Sequence, residues 1–501
     1  MDVQSIKNII NILINPGDSL GQRVIVGGFW VVAFRTIHQG LNLIKLVVLA
    51  RILSPNDFGL MGLALLTMGT LETFSQTGFR QALIQRKENI DVYLDGVWSF
   101  MVIRGFILFA VLYLIAPMVA RFFETPNAEP IIQVVGLAIL IQSFTNIGVL
   151  YFLKELEFNR QFFYDITGTL VEFIVAVFAA IILRNVWALL FGFLAGTVTR
   201  CLVSYFIHPY RPHFTLDLGN TKELWGFGKW ITGSSILVFL ITHGDDIFVG
   251  KLLGVTALGF YQMAYKISNV PAIEVTHIIS QVTFPTYSKL QDNIPKFKDA
   301  YLKVLQIIAF LSFPAAGLIL VLASDFTRIF LGESWMPMVP AIQVLALWGV
   351  IRAVGASNGP VFYSIGRPEI SAKLQLFQLI LLMILIYPFS NRMGIVGTSL
   401  SVVIASLIPN LVAFYMVTRV IRFEVQSLVR LIALPLVNTL IIVSIIFALK
   451  IYLSGETNIL LFLMFIIISF LVYIGVSDLF NKYLNYEIWP LLNFMSRAIK
   501  K

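Results

Sequence analysis

A chain of 501 residues that is 58% hydrophobic and 13% charged carries more apolar surface than one aqueous core can absorb. Its apolar runs are continuous and of bilayer length, which excludes a water-soluble fold and a transmembrane β-barrel and predicts an all-α polytopic membrane protein. One cysteine excludes an internal disulfide framework, and five scattered histidines offer no metal-ligand spacing.

The chain begins MDVQSIKNIINILINPGD. Ile6, Ile9, Ile10, Leu13 and Ile14 fall at helical spacing ahead of Asn15-Pro16-Gly17. We expect residues 1–22 to form an amphipathic segment on the cytoplasmic membrane surface, with a frayed tail as the alternative and no cleavable signal. Fourteen spans follow, at 24–50, 58–77, 96–119, 130–153, 162–183, 186–207, 230–250, 257–284, 304–323, 338–361, 374–388, 394–418, 431–449 and 458–476. The eleventh is short and extends toward Ser371 if Lys373 snorkels. The expected divisions are an N-lobe at 23–207, a cytoplasmic linker at 208–229, a C-lobe at 230–418, and two last spans with a cytoplasmic tail at 419–501.

Charge placement orients the chain. With the N-terminus inside, inner segments hold 23 of the 36 Lys and Arg, outer loops hold seven, and six lie within spans. An even number of spans with both termini inside is therefore expected, in the cell (inner or plasma) membrane. The net charge of +9 is explained by this bias and by anionic lipid, so no nucleic-acid partner is required.

The sequence also repeats. LARILSPNDFGLMGLA at 49–64 matches VGKLLGVTALGFYQMA at 249–264, with Leu53, Gly59 and Ala64 recurring as Leu253, Gly259 and Ala264. PIIQVVGLAILIQSF at 130–144 matches PAIQVLALWGVIRAV at 340–354. Spans one to six thus resemble spans seven to twelve. An even number of spans per copy makes the copies parallel, as in transporters built from two halves. Gly27-Gly28, Pro271, Pro314, Pro409 and Pro435 interrupt spans as hinges or as static kinks.

In the first span, Arg35, His38, Gln39, Asn42 and Lys45 form one polar stripe at helical spacing. A central Arg or Lys facing lipid costs roughly 2.5–3.5 kcal/mol on insertion scales, so the stripe is expected to face protein or water. Span eight carries Gln262, Lys266, Asn269 and His277 on one face, and Arg104, Arg200 and Arg352 add basic groups. Six acidic residues also lie within spans: Glu72, Asp165, Glu172, Asp245, Asp246 and Glu274. Plain structural pairing is the alternative for any one of these charges. Clustered Arg and Lys among amides suit a phosphate or carboxylate, whereas an organic cation would need a bare acidic centre.

Several stretches resemble a known family. F-W-x4-R-x3-Q-G from Phe29 to Gly40, LARILSPNDFGLMGLA, ALIQRKE at 82–88, FGKW at 227–230, DDIFVGKLLG, LGFYQMAYKI and FPTYSKLQ at 284–291 resemble the polysaccharide transporter family. That family comprises Wzx-type flippases and the colanic-acid and teichuronic-acid exporters of the multidrug/oligosaccharidyl-lipid/polysaccharide exporter superfamily. The resemblance covers about residues 19–480. It implies two six-helix lobes plus two extra helices, and movement of undecaprenyl-diphosphate-linked oligosaccharide between leaflets by alternating access. It also implies a central cationic cavity, for which Arg35, His38, Gln39, Asn42, Lys45, Arg200, Lys266, Asn269 and Arg352 are the candidate lining residues.

Two other readings stay open. An ion-coupled drug exporter shares the expected fold, and Glu72, Glu274 and His277 are candidates for ion coupling. A membrane glycan ligase or polymerase would need catalytic groups on sizeable outer loops, but these loops are short. No Walker sequence, Ser/His/Asp set, paired carboxylates or metal ligands are present, so no enzyme activity, cofactor or metal is expected. Expected partners are the lipid-linked glycan, membrane lipid and polysaccharide polymerase or assembly proteins, with the chain itself a monomer.

Overall fold

The computed structural model describes residues 20–85, 90–215, 222–453, 457–484, 486 and 488. Side chains at 20–29, 31–34, 85, 222–231, 270–282, 285, 425, 427, 428 and 430 are outside that description. The amphipathic segment expected at the N-terminus lies almost wholly outside the described residues, and so do the side chains of Glu274 and His277.

Every described element is helical. Those of the first half are α1 (Leu20–Ile52), α2 (Pro55–Phe74), α3 (Phe79–Gln85), α4 (Asp91–Phe122), α5 (Ala128–Ser143), a 3-10 turn (Ile147–Val149), α6 (Leu150–Lys154), α7 (Phe158–Leu183) and α8 (Trp187–Ile207). Next come α9 (Lys222–Leu253), α10 (Val255–Leu290), α11 (Ile294–Phe326), α12 (Val339–Gly355), α13 (Asn358–Ser364), α14 (Pro368–Ile421), α15 (Val425–Leu453) and α16 (Ile459–Leu484). Among the described residues, eight helical stretches are long and apolar enough to cross a membrane. Ala128–Ser143 with Ile147–Lys154 makes a ninth if that pair, bent by 73°, is one span.

α14 spans both the eleventh and twelfth expected segments. Gly394 breaks it at φ 59° and ψ −139°, a conformation open essentially to glycine alone. The two limbs fold back on each other there. Ser390 Oγ and Thr398 Oγ1 pair at 2.8 Å, and Ser401 Oγ donates to the Leu385 carbonyl at 3.1 Å. The eleventh segment starts at Pro368, earlier than its apolar core suggests, because proline suits the first helical turn.

Local chemistry sets the other boundaries. Ser54 and Asp57 form a reciprocal capping box that starts α2, with Pro55 in its first turn. Asn146 ends the fourth segment's first limb. Its Oδ1 accepts from the Gly148 N–H at 2.9 Å, which starts the 3-10 turn. α7 and α8 make the tightest pair. Gly192 lies against Ala176 and Gly196 against Glu172, so the backbones approach closely where side chains are smallest.

The chain packs as two units divided between His243 and Gly244, with Gly254–Gly259 belonging to the first and Gly244–Leu253 to the second. The repeat stretches 130–144 and 340–354 fall in the first and second unit respectively, while 249–264 is divided between them. Left-handed residues recur 210 residues apart, at Leu156 and Gly366 and again at Arg184 and Gly394. The 130–144 and 340–354 match has the same separation. In the second unit, buried Tyr287, Phe297, Tyr301, Phe362 and Val417 form one core cluster, while Phe310, Ile446, Phe465 and Tyr473 form another around α11, α15 and α16.

Candidate functional site

In the first unit, α1 and α7 run side by side in the same direction. Trp30 meets Phe162 at a ring separation of 5.0 Å, and further along Lys45 meets Glu172. The Lys45 Nζ donates to Glu172 Oε1 at 2.6 Å. From α8, Arg200 brings Nη2 to 3.6 Å from Glu172 Oε2. Gly168 makes room for this, since a Cβ there would collide with the Arg200 side chain. Asp165, Gly168 and Glu172 share one face of α7, so the Arg200 guanidinium lies between two carboxylates one turn away on either side.

Arg200 and Asp165 also line a cavity of about 310 Å³ with Glu72, Arg80, Arg104, Gln142, Thr145, Asn146, Gln161 and Tyr164. A second cavity of about 560 Å³ shares Glu72, Arg80, Arg104 and Gln142 with it. Volumes of about 300–1,000 Å³ suit a small ligand. Three arginines face two carboxylates along these walls. With Lys45 and Glu172 added, four cations stand against three carboxylates, leaving one positive charge.

Several wall groups are engaged. Arg104 closes the end of α2: its Nη2 donates to the Glu72 carbonyl at 2.9 Å and its Nε to the Ser75 carbonyl at 3.0 Å. Gln161 Nε2 donates to Asp165 Oδ2 at 2.6 Å. Asn146 Nδ2 donates to the Tyr210 carbonyl at 2.6 Å, which ties the cavity wall to the segment after α8. That segment, 208–215, lies along the start of α4. Tyr210 donates its hydroxyl to Asp95 at 2.5 Å, the His213 N–H donates to the same carboxylate at 2.8 Å, and the Thr215 N–H donates to Ser99 Oγ at 2.8 Å. The Tyr210 hydroxyl is held well above its ordinary range by burial and by Asp95. His208 stacks on Tyr151, and burial, Arg160 and Arg211 hold its imidazole below the usual histidine range.

The structure divides the sequence-based candidates. Lys45, Arg200 and Glu72 fall in or beside the charged cavity. Asn42 Nδ2 donates to His38 at 3.0 Å. Arg35 and Gln39 lie earlier on α1 and line neither cavity. In the second unit, Arg352 packs 5.1 Å over the Trp348 ring, which also meets Tyr265 at 4.8 Å. Asn269 is buried, while Lys266 is exposed. Sequence reasoning did not gather Arg80, Gln142, Gln161, Tyr164 and Asp165 into a site. The polar run Gln142-Ser143-Phe144-Thr145-Asn146, at the end of an apolar segment, is the signal that could have pointed there.

These features define a polytopic α-helical membrane transporter fold with an internal repeat. Residues 48–340 match the family model described as polysaccharide biosynthesis protein, and the chain belongs to that family. It is 27% identical over 441 residues to the lipopolysaccharide biosynthesis protein WzxC of Escherichia coli (strain K12), across 87% of this chain and 90% of that one. It is 26% identical over 297 residues to the teichuronic acid biosynthesis protein TuaB of Bacillus subtilis (strain 168), across 59% and 61%. The fold resembles the lipid II flippase MurJ in its inward closed conformation, with a TM-score of 0.71, 16% identity and coverage of 91% and 99%. It also resembles an inward-facing multidrug resistance MATE family transporter of the MOP superfamily, with a TM-score of 0.62, 18% identity and coverage of 76% and 94%.

Proposed function

We propose that this chain is a flippase that moves lipid-linked (undecaprenyl-diphosphate) oligosaccharide units across the cell membrane for surface polysaccharide synthesis, by alternating access. The observation that carries the reading is a polar cavity with excess positive charge inside a unit of otherwise apolar helices. Arginines that outnumber the carboxylates on one cavity wall suit an anionic cargo, which they can bind through charge-assisted hydrogen bonds. Family membership and relatives named for lipopolysaccharide and teichuronic acid biosynthesis support the same cargo class. A drug-cation exporter is disfavoured by the sign of the charge.

The proposed lining is Lys45 and Arg200 with Glu72 near by. Arg35, His38, Gln39, Asn42, Lys266, Asn269 and Arg352 are secondary candidates, and Glu274 and His277 remain proposed for ion coupling. The proposed setting is the inner or plasma membrane with both termini cytoplasmic, lobes at 23–207 and 230–418, and a monomer that transports without enzyme chemistry and works beside a polysaccharide polymerase. The test is to extract lipid-linked oligosaccharides from cells with and without the gene and assign their leaflet. Build-up on the cytoplasmic side in the deletion supports flipping. An unchanged pool in amount and sidedness removes the substrate from the proposal.

A further inference from the structure

Three groups on the wall of the first unit's cavity make no hydrogen bond to protein among the described residues: the Arg80 guanidinium, the Gln142 amide and the Tyr164 hydroxyl. Their neighbours are already engaged. Arg104 holds the end of α2, Arg200 reaches Glu172, and Gln161 is bound to Asp165. Lys45 and Arg200 share Glu172, and Arg200 and Arg80 share Asp165, so the cluster keeps one positive charge in excess and Arg80 is the member that makes no hydrogen bond to protein among the described residues. It is exposed and lines both cavities.

The chemistry of these three groups is specific when taken together. A guanidinium pairs with a planar carboxylate through two parallel hydrogen bonds. A primary amide both donates and accepts, which suits a ring of hydroxyls. A tyrosine offers a hydroxyl and an apolar ring face. The two cavities hold room for a sugar ring and a neighbour, and too little for a long glycan.

We propose that this cavity is a subsite for one carboxylate-bearing sugar, of the hexuronate class. Arg80 takes the carboxylate, Gln142 takes ring hydroxyls, and Tyr164 takes a hydroxyl or the ring face. This deepens the flippase reading and rests on it for the source of the sugar, which is a residue of the carried glycan.

The full chain in lipid nanodiscs is titrated with radiolabelled sodium glucuronate at fixed ionic strength. Saturable binding is expected, weakened about tenfold or more by Arg80→Gln and by Gln142→Leu, each of which removes a direct contact. Arg419→Gln, an exposed arginine bound to Tyr415, is expected to leave binding unchanged. Methyl glucuronide is expected to compete as well as glucuronate, whereas glucose and inorganic phosphate compete poorly. Competition by free glucuronate but not methyl glucuronide would overturn the glycan-linked source. Equal competition by phosphate would overturn the sugar, and equal competition by glucose would overturn the carboxylate. Wild-type binding in Arg80→Gln would overturn the site. The leaflet assay separates this from the larger reading: glucuronide binding with no lipid-linked glycan build-up in the deletion would leave the subsite standing and remove the flippase.

Discussion

Gly59 and Gly259, equivalent positions of the repeat, press reciprocally on each other's helix starts. A Cβ on Gly59 would collide with the Val255 carbonyl, and a Cβ on Gly259 with the Pro55 carbonyl. Thr256 Oγ1 donates to Asn56 Oδ1 at 3.2 Å between them, again from equivalent positions. All of these residues belong to the first unit. The obstructing atoms are backbone, so they cannot rotate away. Gly59→Ala and Gly259→Ala are each expected to destabilise by about 1–3 kcal/mol. Thermal unfolding of the detergent-solubilised chain measures this. Gly40→Ala, where a Cβ meets nothing within 4 Å, is the control and is expected to be near neutral.

The Lys45–Glu172–Arg200 cluster is asymmetric in what its members can lose. Lys45→Met leaves Glu172 facing Arg200, so the expected cost is about 1 kcal/mol or less. Glu172→Gln leaves two cations without their shared carboxylate, and a cost of roughly 3 kcal/mol is expected for such a break. Folded yield after membrane insertion and thermal unfolding compare the two variants. The reverse order would mean that Arg200 draws its compensation from Asp165 alone.

Acidification should release the 208–215 segment. His208 is held below the ordinary value near 6.5, so the native state favours the neutral ring. As pH falls below about 6.5 the undocked ring gains a proton that the docked ring resists, and the docking weakens. The surrounding charges are Arg160 on α7, Arg211 on the segment itself, and Asp91 and Asp95 on α4, reached through Tyr151 and Tyr210. Hydrogen exchange at 208–215 is expected to rise between pH 7 and pH 5.5, and His208→Gln, which stays neutral, is expected to flatten the profile.

The two hairpin turns should differ in tolerance. Arg184 sits at φ 51° and ψ 37°, a left-handed conformation open to ordinary residues at small cost, so Arg184→Ala is expected to change stability by less than about 1 kcal/mol. Gly394 sits where a Cβ is strained, and Gly394→Ala is expected to cost about 1–3 kcal/mol. The monodisperse fraction on size exclusion after heating ranks the two. Equal losses would indicate that the limbs, rather than the turn, set the reversal.

Much of the architecture was legible in the sequence. The predicted spans fall on described helices, because helix placement follows hydropathy, proline and capping residues that act over one or two turns. Several helices nevertheless run six to ten residues past the apolar stretch, as where the ninth, expected from 304, begins at Ile294. The fourth and tenth spans were legible only as whole segments. Their breaks after Ser143 and Gly355 depend on partners far along the chain. Ser204 accepts from the Asn146 N–H, and Gly355 packs on Asn410. The candidate site was legible in part. The basic stripe named Lys45, but its partner Glu172 stands 127 residues away and is met only because α1 and α7 run side by side.

The sequence by itself determined the class of protein, the helical and apolar character of its segments, and the family resemblance. All of these rest on composition and periodicity along one dimension. Tertiary structure alone decided which intramembrane charges meet. Pairing depends on each helix's rotation and depth against its neighbours, and small residues such as Gly168, Gly192 and Gly196 set those by letting backbones and side chains approach. One-dimensional patterning does not encode that rotation, so Arg80, Gln142, Tyr164 and Asp165 became a site only once the helices were packed.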